Sequence, residues 1–449
     1  MLARNTDTQR ENSMTDYNKE LISFLDKSPT AFHAVANIKA RLETEGYTEL
    51  AESAKWELSE GGKYFVVRND SSIIAFRTPI FDFTSFMISA AHSDSPAFKV
   101  KENPEIVENG YVKLNVEGYG GMLMAPWLDR PLSVAGRIIV KNGNKYEAKL
   151  INVDRDLLLI PNVAIHMNRD ANKGQTWNAQ VDMLPVLGSA DEVKGSFMRI
   201  IAESAGVSDS DILSHDLFLY VRDNGKVWGG SDEYISAPHL DDLQCVYGCL
   251  EGFLGAKPSS SVPILAVFDN EETGSLSKQG ADSTFLEDVL RRISLASGKD
   301  EEGHYRAVSS SFMVSADNAH AVHPNHPEKA DPANRPAINK GIVIKFNAAQ
   351  HYTTDAVSCA IYRDLCESND IPVQVFTNRS DTRGGSTLGN VSNAHVSLNT
   401  VDIGLAQLAM HSCYETVGAR DTKHLVDAMT IFYSKTFRVD AGGSFELLD

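Results

Sequence analysis

The sequence contains a series of short apolar segments that are separated from one another by turns or by helical patterns. They are "YFVVR", "SSIIAF", "SFMISAA", "VPILAVF", "SSFMVSA", "GIVIKF" and "PVQVFT". Continuous apolar runs of this length, bounded by turn residues, are typical of buried strands. The run that begins at Asp241 instead has helical spacing, with Leu243, Val246, Leu250 and Leu254 on one face. This alternation predicts an α/β fold.

The pattern changes between about Val100 and Ser231. Short stretches of alternating polarity, separated by Gly, Pro and Asn, replace the apolar runs: "GYVKLNV", "SVAGRIIV", "KYEAKLINV" and "LFLYV". Such alternation is typical of strands with one solvent-exposed face. Helices and apolar strands resume at Ile235. We therefore predict a β-rich domain, residues 94–235, inserted into an α/β domain that is built from residues 1–93 and 236–449.

The N-terminal segment "MLARNTDTQRENSMTDYNKE" has no apolar core of the kind that a signal peptide requires. We expect it to form a frayed polar tail. Either Met1 or Met14 is compatible with the native start.

Charge and composition exclude two classes of partner. The chain has 60 acidic and 42 basic residues, a formal net charge of -18, which repels phosphate backbones and argues against nucleic acid binding. No apolar run approaches the about 18 residues of a membrane span. The five cysteines are odd in number and scattered, which is typical of reduced thiols and predicts a cytoplasmic protein.

Side chains that can bind metals follow or precede several of the predicted elements. Function in open α/β sheets gathers beyond the carboxyl ends of strands, and a single His or Asp in such a place is more often a cap or a satisfied polar group. Together, however, they form a set of two histidines and four acids without cysteine: His92, Asp241, Glu271, Glu272, Asp317 and His411. This set is what a pair of divalent metal ions would need.

Two cations about 3.5 to 4 Å apart require a bridging carboxylate and terminal carboxylates to offset their repulsion. Imidazole nitrogen with carboxylate oxygen suits zinc and also accepts manganese or cobalt. Water held between such ions loses a proton readily, and a carboxylate beside the site must take that proton. The adjacent pair Glu271 and Glu272 in "AVFDNEETGS" predicts one ligand and one base. The alternative is a pair of acids that complements a helix N-terminus.

Five segments carry a resemblance to a known family: "SAAHSDSPAFKVK", "SAPHLDDL", "DNEETGS", "SADNAHAVHPNH" and "LAMHSCYE". In this order and at these separations they resemble the aspartyl aminopeptidase family, and the likeness extends from "SPTAFHAV" to the last helix. The resemblance implies a mixed-sheet α/β/α dinuclear zinc exopeptidase domain interrupted by a β-rich dimerisation domain. It also implies two Zn²⁺ per subunit and a tetrahedral homododecamer that admits peptide substrates.

The resemblance also implies individual roles. It places His92 and Asp317 on one metal, Glu272 and His411 on the other, and Asp241 between both.

Three further assignments concern residues beside the metal ligands. Glu271 would be the general base. Asp94 would orient the imidazole of His92, and Asp242 would belong to the turn that aims Asp241.

Further assignments concern substrate. His166, in "IPNVAIHMNRD", is similar to a histidine that stabilises the oxyanion in the site of a neighbouring subunit; without the family it would be interpreted as a packed histidine. Lys345, in "GIVIKFN", matches a lysine that is associated with acidic substrate side chains, the alternative being a solvated lysine. The turn "SDTRGGSTLG" resembles the pocket loop, in which Asp381, Thr382, Gly384 and Gly385 are candidates.

Three functional alternatives stay open at this point. The sequence has His239 and His351 where relatives carry arginine, which leaves neutral or hydrophobic N-terminal residues as possible substrates. A dinuclear deacylase or carboxypeptidase would need a basic clamp for a carboxylate, and no clear clamp is visible. A non-enzymatic assembly protein is least compatible with an intact Glu271. We predict a cytoplasmic zinc aminopeptidase with a preference for N-terminal Asp or Glu.

Overall fold

The computed structural model describes residues 16–449. Most of the predicted polar tail, residues 1–15, lies outside the described residues. The chain begins with two helices and four strands: α1 (16–26), α2 (Ala31–Thr44), β1 (Thr48–Glu49), β2 (Gly62–Arg68), β3 (Ser72–Thr78) and β4 (Phe86–His92). The second helix ends just before Gly46, whose φ of 81° stops helical continuation.

The middle of the chain contains most of its long antiparallel strands. Its elements are β5 (Ala97–Glu108), β6 (Tyr111–Tyr119), β7 (Leu132–Asn142), β8 (Lys145–Asn152), β9 (Val186–Ser189), α3 (Ala190–Val193), α4 (Phe197–Ala205) and β10 (Ile212–Val221). They form a six-stranded sheet in the order β8-β7-β10-β5-β6-β9. The strands alternate buried and exposed residues, as in β6 with Val112, Leu114 and Val116 buried, so one face of this sheet packs on a core of its own.

The remaining elements return to the α/β pattern. They are β11 (Lys226–Trp228), β12 (Tyr234–Ala237), α5 (Leu240–Gly255), β13 (Val262–Phe268), α6 (Phe285–Ala296), α7 (Glu301–Ser309), β14 (Phe312–Ala316), β15 (Ala319–His320), β16 (Ile342–Phe346), α8 (Ala356–Glu367), β17 (Val373–Thr377), α9 (Leu388–Ser392), β18 (Asn399–Gly404), β19 (Ala406–Leu408), β20 (Glu415–Gly418), α10 (Asp421–Tyr433), β21 (Thr436–Val439) and β22 (Phe445–Leu448).

A nine-stranded mixed sheet organises these segments, in the order β1-β2-β3-β13-β4-β14-β18-β16-β17. Its centre is parallel: β4 pairs in parallel with both β13 and β14, and β14 with β18. The strands β3 and β16 run antiparallel to their neighbours β13 and β18. The carboxyl ends of β13, β4 and β14 therefore meet at one edge of the sheet.

The sheet is covered on both faces, which explains the uninterrupted apolar runs. In β4, Phe86, Ile88 and Ala90 belong to one buried core and Met87 and Ala91 to the other. Helices α2, α5, α8 and α10 supply the core that contains Met87, and α6, α7 and α9 supply the opposite core. The predicted mixed α/β fold is confirmed, with helices on both sides of a mixed sheet.

A smaller five-stranded sheet, in the order β11-β12-β20-β19-β15, joins the segment after β10 to the C-terminal part of the chain. The six-stranded sheet uses only residues 97–221, whereas β11 and β12 pair toward β20. The domain boundaries 94 and 235 stay a prediction. Among residues 16–449, no helix combines the length and the apolar character that a membrane crossing needs.

Two elements differ from the sequence interpretation. The strand β18, "NTVDIG", has no place among the predicted strands because Asp402 interrupts its apolar run, yet all of Thr400 to Gly404 is buried. The chain also does not close with helix α10: the hairpin of β21 and β22 follows it.

Candidate metal centre

Three of the predicted site segments meet because their strands are parallel neighbours. His92 is the last residue of β4 and lies beside Phe268, the last residue of β13. Glu271 and Glu272 follow β13 in a short 3-10 turn, and Asp317 directly follows β14. Neighbouring parallel strands have their carboxyl ends at the same edge of the sheet, and this topology alone brings these side chains close together.

Two further side chains arrive from other elements. Asp241 lies at the start of α5, where Asp241 and Asp242 have non-helical backbone angles and the regular helix begins only after them. His411 lies in the turn between β19 and β20 with a left-handed φ of 64°. The five-stranded sheet carries this turn to the edge of the nine-stranded sheet.

The six predicted metal-site residues and Asp242 form three overlapping groups, and within each group the potential ligand atoms lie within 4.8 Å of one another. The groups are His92 with Asp241, Asp242 and Asp317; His92 with Glu271 and Glu272; and Asp241 with Glu272 and His411. Nε2 of His411 lies 3.4 Å from carboxylate oxygens of both Asp241 and Glu272, and Nε2 of His92 lies 3.8 Å from Oδ1 of Asp241. Asp241 thus belongs to two groups, as a bridging ligand must.

Unpaired oxygen atoms show that the cluster fits cations. Oδ1 of Asp241, Oδ1 of Asp242 and Oε1 of Glu272 are buried and have no hydrogen-bond partner within the described chain. Buried carboxylate oxygens without partners are costly unless a positive charge compensates them. A donor set of imidazole nitrogens and carboxylate oxygens, without thiolates, agrees with Zn²⁺ and with Mn²⁺ or Co²⁺.

Asp94 holds the turn that carries the paired glutamates. Its Oδ1 and Oδ2 accept hydrogen bonds from the backbone N–H groups of Glu271 and Glu272, both at 3.2 Å. Nδ1 of His92 contacts the backbone oxygen of Asp94 at 3.0 Å and its Oδ1 at 3.4 Å. The predicted role of orienting His92 is compatible with this geometry, and the carboxylate in addition fixes the turn.

Glu415 is a residue that sequence reasoning missed. Its two carboxylate oxygens accept hydrogen bonds from the backbone N–H groups of Asp241 at 2.9 Å and of His411 at 2.8 Å, and the residue is only 2% exposed. It therefore ties together two ligand residues from different elements. The available signal was an acid four residues after His411, at the start of a short strand.

Burial raises the pKa of Glu271 to about 8, with His92 opposing and Asp317, Asp94 and Asp241 adding to the shift. Burial likewise raises the pKa of Glu415 to about 8, although its two backbone donors require both oxygens to act as acceptors. Cations beside such carboxyl groups stabilise the ionised form and lower the pKa again. The acids are thus arranged to receive positive charge.

A cavity of about 320 Å³ opens beside the cluster. Besides the six metal-site residues it is lined by Asn318, Ala319, His320, Lys345, Tyr352, Phe376, Gly385, Ser386, Thr387 and Met410. It joins the polar cluster to the apolar rings of Tyr352 and Phe376, as a site for a substrate side chain requires.

Lys345 is buried in the wall of this cavity, with only 2% of its surface exposed. Its Nζ donates to the backbone oxygen of Asp317 at 2.8 Å, lies 3.3 Å from Oδ2 of Asp317 and stands 5.1 Å from the centre of the Tyr352 ring. Burial lowers its pKa, but Asp317, Tyr352 and Asp402 raise it more. The solvated-lysine alternative is therefore wrong, and the amine stays charged.

The structure does not bring the whole predicted pocket loop to the cavity. Of the four candidates only Gly385 lines it. Asp381 is exposed and its carboxylate accepts hydrogen bonds from Arg379 at 2.9 and 2.7 Å. Thr382 is exposed, and Gly384 packs against the side chain of Asn378.

The histidines differ in their surroundings. His166 lies exposed in a turn of the segment between β8 and β9 and belongs to none of the metal-binding groups. The segment "SADNAHAVHPNH" contains three more histidines after Asp317, of which His320 lines the cavity whereas His323 and His326 are exposed. His239 and His351 are absent from the cavity lining.

Comparison with known proteins agrees with this site. The model of the family described as "Aminopeptidase I zinc metalloprotease (M18)" matches residues 24–433. A probable M18 family aminopeptidase 2 of Clostridium acetobutylicum is 48% identical over 427 residues, which cover 93% of this chain and 99% of that protein.

Solved structures extend the similarity to the fold. The cryo-EM structure of the Ape4 and Nbr1 complex contains a chain with a TM-score of 0.91 and 32% identity, covering 94% of this chain and 86% of that one. The structure of the S. cerevisiae mApe1 dodecamer has a TM-score of 0.82 and 27% identity, covering 94% and 97%.

Proposed function

The chain belongs to the M18 family of zinc metallo-aminopeptidases, and we propose that it removes N-terminal residues, acidic ones preferred, at a pair of zinc ions with Glu271 as general base. Membership makes it a hydrolase that acts on peptide N-termini. The number of ions, the roles of individual residues and the substrate preference are the proposed part.

The convergence of His92, Asp241, Glu272, Asp317 and His411 supports two metal ions. These residues come from strand ends, a helix start and a turn, and two of their three overlapping groups share Asp241. We assign His92 and Asp317 to one ion, Glu272 and His411 to the other, and Asp241 to both. The unpaired oxygens of Asp241 and Glu272 are the single observation that carries the proposal.

When bound, zinc ions supply Lewis-acid activation of the scissile carbonyl and of water. Glu271 does the proton transfer: it takes the proton of the attacking water and later delivers it to the departing amine. Its backbone N–H donates to Asp94, and its carboxylate lies in the group with His92 and Glu272. Glu272 on the same turn serves as ligand.

Lys345 supports the preference for acidic N-terminal residues. It is a charged amine in the wall of the substrate cavity, and a substrate carboxylate would add a second anion beside the one that Asp317 already provides. The apolar rings of Tyr352 and Phe376 in the same cavity would instead suit a neutral side chain. The preference for acidic or neutral N-terminal residues depends on whether the charge of Lys345 or the apolar surface of these two rings contributes more to substrate binding.

Self-association is proposed from the related mApe1 dodecamer and from the segment around His166. Val163, Ile165 and Met167 on this segment are 54%, 49% and 82% exposed, a density of apolar side chains that is typical of an interface. In a tetrahedral homododecamer, His166 would stabilise the oxyanion in a neighbouring subunit. The cytoplasmic location stays a prediction from the scattered cysteines.

The proposal is tested with purified protein before and after removal of metals by a chelator. We expect hydrolysis of aspartyl and glutamyl anilides above leucyl anilide, loss of this activity on chelation and recovery with Zn²⁺. Cleavage of N-acyl amino acids instead would indicate a deacylase. A leucyl preference would contradict only the acidic specificity, and an inactive zinc-loaded protein would contradict the enzymatic function.

A further inference from the structure

The segment Tyr119 to Leu123, which begins at the last residue of β6, lies in the β-rich part of the chain but contacts the metal centre. The phenol of Tyr119 donates a hydrogen bond to Oδ2 of Asp94 at 2.7 Å and accepts one from the side chain of Asn270 at 2.9 Å. Oδ2 of Asp94 is the same oxygen that accepts the backbone N–H of Glu272. Tyr119 therefore adds a third donor to the carboxylate that fixes the turn of the paired glutamates.

Asn270 extends the connection to the base of that turn. It precedes Glu271 with a left-handed φ of 65°, and its Oδ1 accepts hydrogen bonds from Ser277 at 2.7 Å and from Gln279 at 2.8 Å. Tyr119 thus contacts the side chains of two residues that hold the turn: the carboxylate of Asp94, which accepts the backbone N–H groups of the turn, and the amide of Asn270, which directly precedes it.

The next residue approaches a metal ligand directly. A Cβ added to Gly120 would lie 3.0 Å from Cβ of Glu272 and 3.5 Å from its Oε2, and Gly120 has a φ of +74°. Both facts demand glycine at this position. At the end of the segment, the backbone N–H of Leu123 donates to the carbonyl of His411 at 3.0 Å. The segment therefore contacts two residues of the group formed by Asp241, Glu272 and His411.

From these contacts we propose that the Tyr119–Leu123 segment positions the metal centre, with Tyr119 as a positioning residue for the turn that carries Glu271 and Glu272. The inserted part of the chain is then required for catalysis within its own subunit, in addition to any part in assembly. This inference rests on the roles proposed above for Glu271 and Glu272. It predicts that small changes in the segment lower the rate constant of catalysis more than substrate binding.

Two pairs of variants test the inference. Tyr119→Phe removes only the hydroxyl, since the ring stays packed against Phe218 at 5.5 Å. Its control, Tyr111→Phe, changes an exposed tyrosine at the other end of β6. Gly120→Ala introduces the close contact with Glu272, and its control, Gly118→Ala, adds a methyl group at an exposed position with an ordinary contact of 3.6 Å.

For each protein we would measure kcat and KM on an aspartyl anilide, zinc retained against a competing chelator, and Tm. We expect Tyr119→Phe and Gly120→Ala to lower kcat about 10- to 100-fold with KM nearly unchanged. Gly120→Ala should also lose zinc at a lower chelator concentration, because its added methyl group displaces a ligand. Both controls should match the wild type.

The results separate this inference from the proposed function. An active wild type with Tyr119→Phe equal to Tyr111→Phe, or with Gly120→Ala equal to Gly118→Ala, would overturn the inference. A rise in KM alone would also overturn it, because that result assigns the segment to substrate binding. An inactive zinc-loaded wild type would contradict the proposed function instead. The glycine pair and the zinc measurement give an answer even where one tyrosine variant fails to fold.

Discussion

Replacement of Glu415 by glutamine should weaken the metal group formed by Asp241, Glu272 and His411. Both oxygens of Glu415 accept backbone N–H groups, one from Asp241 and one from His411. Glutamine has nearly the same shape but offers only one oxygen, and its NH₂ group would face the second N–H. One buried backbone donor is then left without an acceptor.

The expected magnitude follows from this geometry. A hydrogen bond to a charged group contributes about 1.5–3 kcal/mol, and an unpaired buried donor costs about 1–3 kcal/mol. Because Glu415 is only 2% exposed, solvent cannot compensate for the loss. Above pH 8, where Glu415 of the metal-free protein is ionised, we expect the free energy of unfolding to fall by about 3 kcal/mol. The affinity for one zinc ion should fall about 10- to 100-fold.

Zinc binding by Glu415→Gln would be followed by competition with a chelator. Glu105→Gln is a matched control, since Glu105 also accepts two backbone N–H groups, from Gly195 at 2.6 Å and from Phe197 at 2.8 Å, in the six-stranded part of the chain. The control should lose stability but keep both zinc ions. Equal zinc retention by the two variants would refute the reasoning.

Three further predictions concern the base, the pocket and pH. Glu271→Gln should retain both metals while kcat falls about 10²- to 10⁴-fold; zinc content and turnover measure this, and wild-type rates would contradict the assignment of the base. Lys345→Ala should lower kcat/KM for aspartyl substrates about ten-fold or more through loss of a charge-assisted bond, with a smaller loss for leucyl substrates; equal losses would show that Lys345 supports Asp317 rather than selecting substrate. His33 is buried at the start of α2, and burial lowers its pKa from 6.5 to about 4. The folded state therefore disfavours the charged imidazole, so stability is full above pH 6.5 and decreases as the pH falls toward 4, by at most about 3 kcal/mol. Chemical unfolding of wild type and His33→Asn across this range measures the difference, and parallel pH profiles would exclude His33 as its cause.

Much of the nine-stranded sheet could be predicted because its strands are buried on both faces. The segment "VPILAVF" coincides with β13, and "SFMISAA" and "SSFMVSA" contain most of β4 and β14. A strand between two apolar cores is apolar at nearly every position, so it appears in the sequence as an uninterrupted apolar run.

The same reasoning failed for β18, which lies between β14 and β16. Asp402 in its middle breaks the apolar pattern. In the fold this carboxylate accepts hydrogen bonds from the hydroxyls of Thr353 and Thr387, both at 2.6 Å. These partners lie 49 and 15 residues away in the chain. The residues next to Asp402 in the sequence therefore do not indicate that its carboxylate has hydrogen-bond partners.

The sequence by itself identified most of the groups to which we assign the chemistry: His92, Asp317 and the paired glutamates lie at or just after strand ends, and parallel neighbours place their carboxyl ends together. Only the tertiary structure decided what holds those groups in place. Glu415 and Tyr119 act through hydrogen bonds to residues distant in sequence, and a donor or acceptor acquires its partner only when the chain folds. The periodicity of apolar residues in a sequence indicates which positions are buried, but it does not indicate which buried polar atoms form hydrogen bonds with one another.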